Sequence, residues 1–220
     1  VERVEITVRG EHTAFLRPER ATVHAEIGLE GPTGAAVYDG AVASARRVTD
    51  AVTALHDPQA GPVTWWSSDQ VRTWARRPWN QEGKQLPLVH HAQLNLQVKF
   101  RDFARMSAWL GEVTPVPGFR VSRIEWALTA ARQESTTREV RVAAVRQAAE
   151  KAQAYADALG LGPVHPVALA DAGMLGGGLE PRQEGAAMFS RAAGAGGGDV
   201  EFVPQDVAVV ARVDARFALS

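Results

Sequence analysis

The sequence predicts an α+β protein: a mostly antiparallel sheet packed by two long helices and one short helix. Three observations carry this. Apolar and polar residues alternate strictly in residues 4–10, 20–30, 90–100 and 207–219, the two-residue period of half-buried strands. Residues 33–55 and 134–159 instead repeat apolar or small side chains at spacings of three and four, the signature of a helix packed along one stripe. A third, shorter stripe of the same kind covers residues 102–113.

In the first strand Val4, Ile6 and Val8 alternate with Glu5, Thr7 and Arg9, up to Gly10. After a link holding Pro18, the second places Ala21, Val23, Ala25, Ile27 and Leu29 on one face, and it is expected to pair with the first. Thr33 is the expected N-cap of a helix whose buried face is Val37, Ala41, Ala45, Val48, Val52 and Leu55. Residues 62–79 are aromatic and rich in β-formers. The polar run 80–84 reads as a hairpin tip, and the returning strand holds His90, Ala92, Leu94, Leu96, Val98 and Phe100 on one side.

The short helix presents Phe103, Met106, Trp109 and Leu110 before Pro115 and Pro117 stop it. The strand at 119–129 changes register between Val121 and Ile124, which predicts a bulge. In the long helix Ala144, Ala148, Ala152 and Ala156 recur every four residues, a stripe that allows close approach to a sheet or partner helix, with Gln147 turned to solvent. Gly160, Gly162 and Pro163 end that helix, and 164–169 is a short strand. Residues 172–200, rich in Gly and Ala, read as a flexible segment within a single domain spanning 1–220.

Composition excludes several functions. With 24 basic and 25 acidic residues the net charge is -1, so no overall field draws polyanions, and no nucleic-acid partner is expected. The absence of cysteine removes disulfides, thiolate nucleophiles and Cys-based metal sites. No apolar run approaches the roughly 18 to 20 residues of a membrane span. Strand alternation begins by Val4 with no charged-then-apolar leader before it, so the chain reads as cytoplasmic; the alternative is an exported protein trimmed before Val1.

The chemistry-bearing side chains form no motif. His90 and His91 are neighbours in a strand and point to opposite faces, so they cannot share a metal; His90 is expected half-buried and His91 solvated. His12, His24, His56 and His165 lack ligand spacing. No GxSxG is present, and the glycine runs 176–178 and 196–198 are not followed by Lys-Ser or Lys-Thr. No catalytic, cofactor-binding or metal-binding residue is therefore expected. The one concentration of interest is Trp65, Trp66, Arg72, Trp74, Arg76, Arg77 and Trp79. The simplest expectation is that alternate tryptophans fill a core while arginine stems cover the outer face. Trp and Arg also favour interfaces, which makes Trp65, Trp66, Trp74, Arg76 and Trp79 the candidate partner or ligand surface.

Four blocks, ITVRGEHTAFLRPERATVHAEIGLEG (6–31), HAQLNLQVKFRDFARMSAWLG (91–111), REVRVAAVRQAAEKAQAYADALGLG (138–162) and FVPQDVAVVARVDARFAL (202–219), together resemble the SIMPL-domain family of bacterial periplasmic immunogenic and oxidative-stress-defence-like proteins. The resemblance covers nearly the whole chain, although Pro18-Glu19 stands where the family usually has Pro-Asp, and the Trp-rich middle is unlike its usual pattern. It implies a SIMPL-like α+β fold, homo-oligomers, and stress- or envelope-related roles, and it transfers no catalytic residue. The expected function is thus that of a non-enzymatic, self-assembling protein. The alternative is a small-molecule binder or unrecognised enzyme with a pocket near the Trp/Arg-rich hairpin, its ligand unknown.

Overall fold

The structure, a computed structural model, describes residues 4–81, 83–175 and 203–219. Most of the Gly/Ala-rich segment expected at 172–200 lies outside the described residues. Along the chain run β1 (Glu5–Leu16), β2 (Arg20–Gly31), α1 (Gly34–Leu55), β3 (Val63–Ser68), β4 (Arg72–Arg76), β5 (Val89–Phe100), α2 (Phe103–Val113), β6 (Phe119–Ala127), α3 (Ala130–Ala158), β7 (Val164–Asp171) and β8 (Val207–Leu219). The α+β class and the two-long, one-short helix pattern hold. Where one sheet was expected there are two, both antiparallel: β1-β8-β7, and β3-β5-β2-β6 with β4 also on β5. The strands divide between two compact units, one containing residues 4–17, 128–175 and 206–219, the other 18–127 with 203–205.

In the second unit β2 is central. Ala21, Val23, Ala25 and Ile27 are buried on one face, and both edges of the strand are taken, by β5 and β6. That is why β1 does not pair with β2, contrary to the expectation from their adjacency: β2 has no free edge to offer. α1 and α2 pack with this sheet through Val48, Val52, Met106, Trp109, Leu110 and Val113 against Leu94, Leu96, Val98 and Phe100. Trp109 is the buried tryptophan of the core, in edge contact with Phe119 and tilted against Phe100. The bulge in β6 is where the register predicted it: Arg123 faces His24 and Val121 faces Ala25, leaving Ser122 as the extra residue, its hydroxyl donating to the His24 carbonyl. Thr33 is the N-cap of α1, but its side chain makes no capping bond, whereas Asp102 caps α2 by accepting from the Arg105 N–H at 3.0 Å.

The first unit brings the two ends of the chain together. β1 and β8 pair along their whole lengths, Glu5 opposite Ala218 through Leu16 opposite Val207. Their buried face, with Ile6, Val8, Val209, Val213, Ala215 and Phe217, packs on the alanine stripe of α3; Ala144, Ala148, Ala152 and Ala156 are all fully buried. The helix comes so near at Gly10 that a side chain there would meet the backbone of Ala144 and Ala148. Gln147 is exposed as expected, yet it is not idle: its Oε1 accepts the Glu11 N–H at 2.6 Å. α3 starts at Ala130, a turn earlier than its pattern suggested, so Glu134 pairs with Arg138 instead of standing at the helix N-terminus.

Candidate functional site

The face of the five-stranded sheet turned away from its core is built by alternation and register. Side chains opposite one another on antiparallel strands share a face, so one row crosses four strands as Trp65, Lys99, Thr22 and Glu125, and the next as Ser67, Gln97, His24 and Arg123. Lys99 Nζ lies 5.6 Å from the centre of the Trp65 ring, within cation–π range. His24 Nε2 is 3.3 Å from Glu125 Oε2 and 3.5 Å from Arg123 Nη2. Arginine only donates and a carboxylate only accepts, so this one nitrogen serves one of the two at a time. Thr22, His24, Trp65, Gln97, Lys99 and Glu125 line a shallow trough of about 310 Å³. A second hollow, about 460 Å³, lies at the start of α2 beside Gly61, Arg101 and Arg105. Nearby, the Asp57 carboxyl accepts the N–H groups of Ala60 and Gln59, which hold its pKa below the ordinary value.

The Trp/Arg cluster divides. Trp66 turns inward and packs on the core. Trp65 walls the trough. Trp74 stands on the same face, stacked on His91 with ring centres 5.1 Å apart and 9° between planes. That ring covers His91, whose side chain is only 11% exposed; the expectation of a solvated His91 fails because a tryptophan sits opposite it on the next strand. His91 Nδ1 is 3.5 Å from Glu30, and its buried Nε2 has no hydrogen-bond partner among the described residues. Arg76 lies two residues beyond Trp74 on the same exposed strand, and Trp79, 82% exposed, follows three residues after the end of that strand. The expectation that alternate tryptophans of this cluster fill the core thus holds for Trp66 alone. Trp74, Arg76 and Trp79 line neither hollow.

Sequence reasoning missed His24, Lys99 and Glu125 as neighbours of Trp65. Each sits at a polar position of an alternating strand, and only the pairing register shows that they meet. Among the described residues no group of three or more His, Asp or Glu side chains is placed to hold a metal ion. No helix among them is long and apolar enough to cross a membrane.

In the first unit β1 and β8 carry a cross-strand ladder of charge. Asp214 accepts from Arg9 Nε at 2.7 Å and Nη2 at 3.1 Å, and Glu11 pairs with Arg212 at 3.0 Å. The Gly173 N–H, just past β7, also bonds Asp214, at 2.6 Å. These bonds, the Arg9 one first, lower the Asp214 pKa. The two flanks of this sheet differ. On the β1 side, α3 reaches round to the outer backbone groups, Gln147 to the Glu11 N–H and Lys151 Nζ to the Arg9 carbonyl at 3.5 Å. On the β7 side no further strand is present among the described residues, and Val167 and Leu169 are 52% and 57% exposed.

Two antiparallel sheets, one packed by α3 and the other by α1 and α2, define an α+β protein whose exposed chemistry lies on strand edges and on one polar sheet face. The chain belongs to the SIMPL family, a protein family of unknown function (DUF541), whose model matches residues 6–217 and so spans both units. No curated protein matches the chain. Among solved structures it is similar to a "putative amidohydrolase/peptidase" from Burkholderia cenocepacia at 18% identity with a TM-score of 0.27; the match covers 71% of this chain and 35% of that one. The chain therefore spans about a third of that structure's length, and a likeness this distant carries no argument about activity.

Proposed function

We propose that this SIMPL-family protein is non-catalytic and works by self-assembly, with the β7 edge as the contact between copies. The observation that carries the reading is the apolar flank of that strand, beside which no further strand lies among the described residues. Leu169 lies opposite Ala215, a buried residue of the face packed on α3, yet remains 57% exposed. Pro166 lacks an N–H and a bulge follows it, which disfavours pairing over the first half of β7 and leaves residues 167–171 to add to a neighbouring strand. Of residues 167–171 only Asp171 is charged, and antiparallel pairing of that segment with its own copy sets Asp171 opposite Val167, so two copies meet there without like charges directly opposed. Family resemblance supports a stress- or envelope-related role for such an assembly.

Light scattering at micromolar concentration tests the reading. The expected result is a species several times 23.6 kDa that falls to 23.6 kDa in Leu169→Glu. A wild-type protein that stays at the monomer mass across salt concentrations refutes it.

A second reading, a small-molecule binder, is favoured by the trough between Trp65, Lys99 and Glu125. The aromatic wall beside Lys99 suits a planar anion. Trp65→Ala abolishing the calorimetric binding of a simple aromatic carboxylate such as benzoate supports it; no heat from the wild type at millimolar benzoate counts against it.

A further inference from the structure

The edge of the other sheet has different chemistry. β4 pairs with β5 on one side, and among the described residues no strand lies on its other side. All five of its residues are exposed. Arg72, Trp74 and Arg76 alternate along it and stand opposite Gln93, His91 and Val89, so the three point to one face, with Trp74 already fixed by its stack on His91. Neither Arg72 nor Arg76 has an acidic partner among the described residues.

Charged residues on an edge commonly serve to repel other edges. Here they repel a second copy in particular. The antiparallel register that pairs all five residues of two β4 strands places Arg72 opposite the partner's Arg76 at both ends, and like charges directly opposite destabilise a strand pair. The same two arginines attract a strand bearing carboxylates four residues apart, and the exposed Trp74 between them supplies the aromatic anchor that a purely protective edge does not need.

We propose that β4 is a docking edge for an extended acidic peptide of the pattern acid-x-apolar-x-acid, which adds as an antiparallel strand with its carboxylates at Arg72 and Arg76 and its apolar residue beside Trp74. The proposal is independent of assembly at β7, because it uses a different edge in the other unit.

Fluorescence anisotropy with a fluorescein-labelled peptide, Gly-Ser-Glu-Thr-Val-Thr-Glu-Ser-Gly, tests it. The wild-type protein binds this peptide and not its Lys-Thr-Val-Thr-Lys counterpart. Binding weakens at least tenfold in the Arg72→Glu, Arg76→Glu double variant and weakens as salt rises and the Debye length shrinks to about 8 Å or less. The lysine peptide binds that double variant, which shows that it is folded and that charge sets the preference. Backbone addition is read separately. N-methylation of the two Thr residues and N-methylation of the Glu, Val and Glu residues block opposite edges of the peptide, so one set abolishes binding and the other leaves it intact. Equal binding of the acidic and basic peptides, no binding of the acidic peptide up to millimolar concentration, or full binding by both N-methylated peptides overturns the proposal.

Discussion

Gly10→Ala is a small change that the structure makes severe. Gly10 lies on the buried side of β1 against α3, and an added methyl carbon would stand 2.1 Å from the Ala144 carbonyl oxygen, 2.8 Å from the Ala148 Cβ and 2.9 Å from the Ala148 nitrogen. Two of those three atoms are helix backbone, so no side-chain rotation relieves the clash. α3 must withdraw by about 1 Å, and a gap of that size forfeits roughly a quarter to a half of the dispersion attraction wherever it opens. The cost belongs at the upper end of overpacking, about 3 kcal/mol or more. With a urea dependence of about 1–3 kcal/mol per molar, the midpoint falls by about 1–3 M.

The control is the same substitution at Gly28, on β2, where an added methyl meets nothing within 4 Å. There the change is expected to be neutral or to stabilise by up to about 1 kcal/mol, since glycine is a poor strand residue. The readout must be far-UV circular dichroism. All six tryptophans lie between residues 65 and 126, in the unit that does not contain Gly10, so their fluorescence does not report directly on the β1–α3 packing. A Gly10→Ala protein whose dichroism midpoint matches that of Gly28→Ala refutes the close-packing argument.

Ala148→Leu, at the centre of the same stripe, is expected to cost about 1–3 kcal/mol. Gln147→Leu gives up the bond to the Glu11 N–H and costs about 0.5–1 kcal/mol; urea titrations that reverse this order place the wrong face of α3 on the sheet. The third concerns acid. Asp214 has a pKa below its ordinary 3.8 in the folded protein, so its pairing with Arg9 and the Gly173 N–H stabilises fully above about pH 5 and is lost as pH falls through the depressed value. Asp214→Asn is therefore less stable than wild type at pH 7, the gap narrowing by pH 3. A gap of the same size at both pH values, read by dichroism in urea, rules the linkage out.

Much of this fold is legible in the sequence because period reports burial directly. The alternation of Val207, Val209, Ala211, Val213, Ala215 and Phe217 gives the inward face of β8, and the change of phase between Val121 and Ile124 gives the bulge at Ser122. Partnership is a different kind of information. Nothing local in β1 says that its partner begins two hundred residues away, and adjacency argues wrongly for β2, whose two edges are taken by β5 and β6. The polar face of the larger sheet was hidden for the same reason: His24 and Lys99 are unremarkable polar positions until register sets them beside Trp65. The tryptophan cluster misled through composition, since Trp109, the buried ring of the core, lies outside it.

The pairing of the two chain ends has a consequence for synthesis. As the chain leaves the ribosome β1 emerges ahead of residues 18–127, and these, the whole of the larger sheet and its two helices, are complete long before the partner of β1 exists. Through that interval Ile6 and Val8 have no strand beside them, and the alanine stripe of α3 has only part of the surface it is shaped to meet. Contacts so distant in sequence close late and slowly. The nascent protein thus passes through a stage in which one unit is able to fold while the other lacks its central strand, β8, and it is then that an unpaired, apolar β1 is most exposed to wrong partners. A chain cut short before Val207 would stay in that stage, with one sheet intact and the other missing its middle.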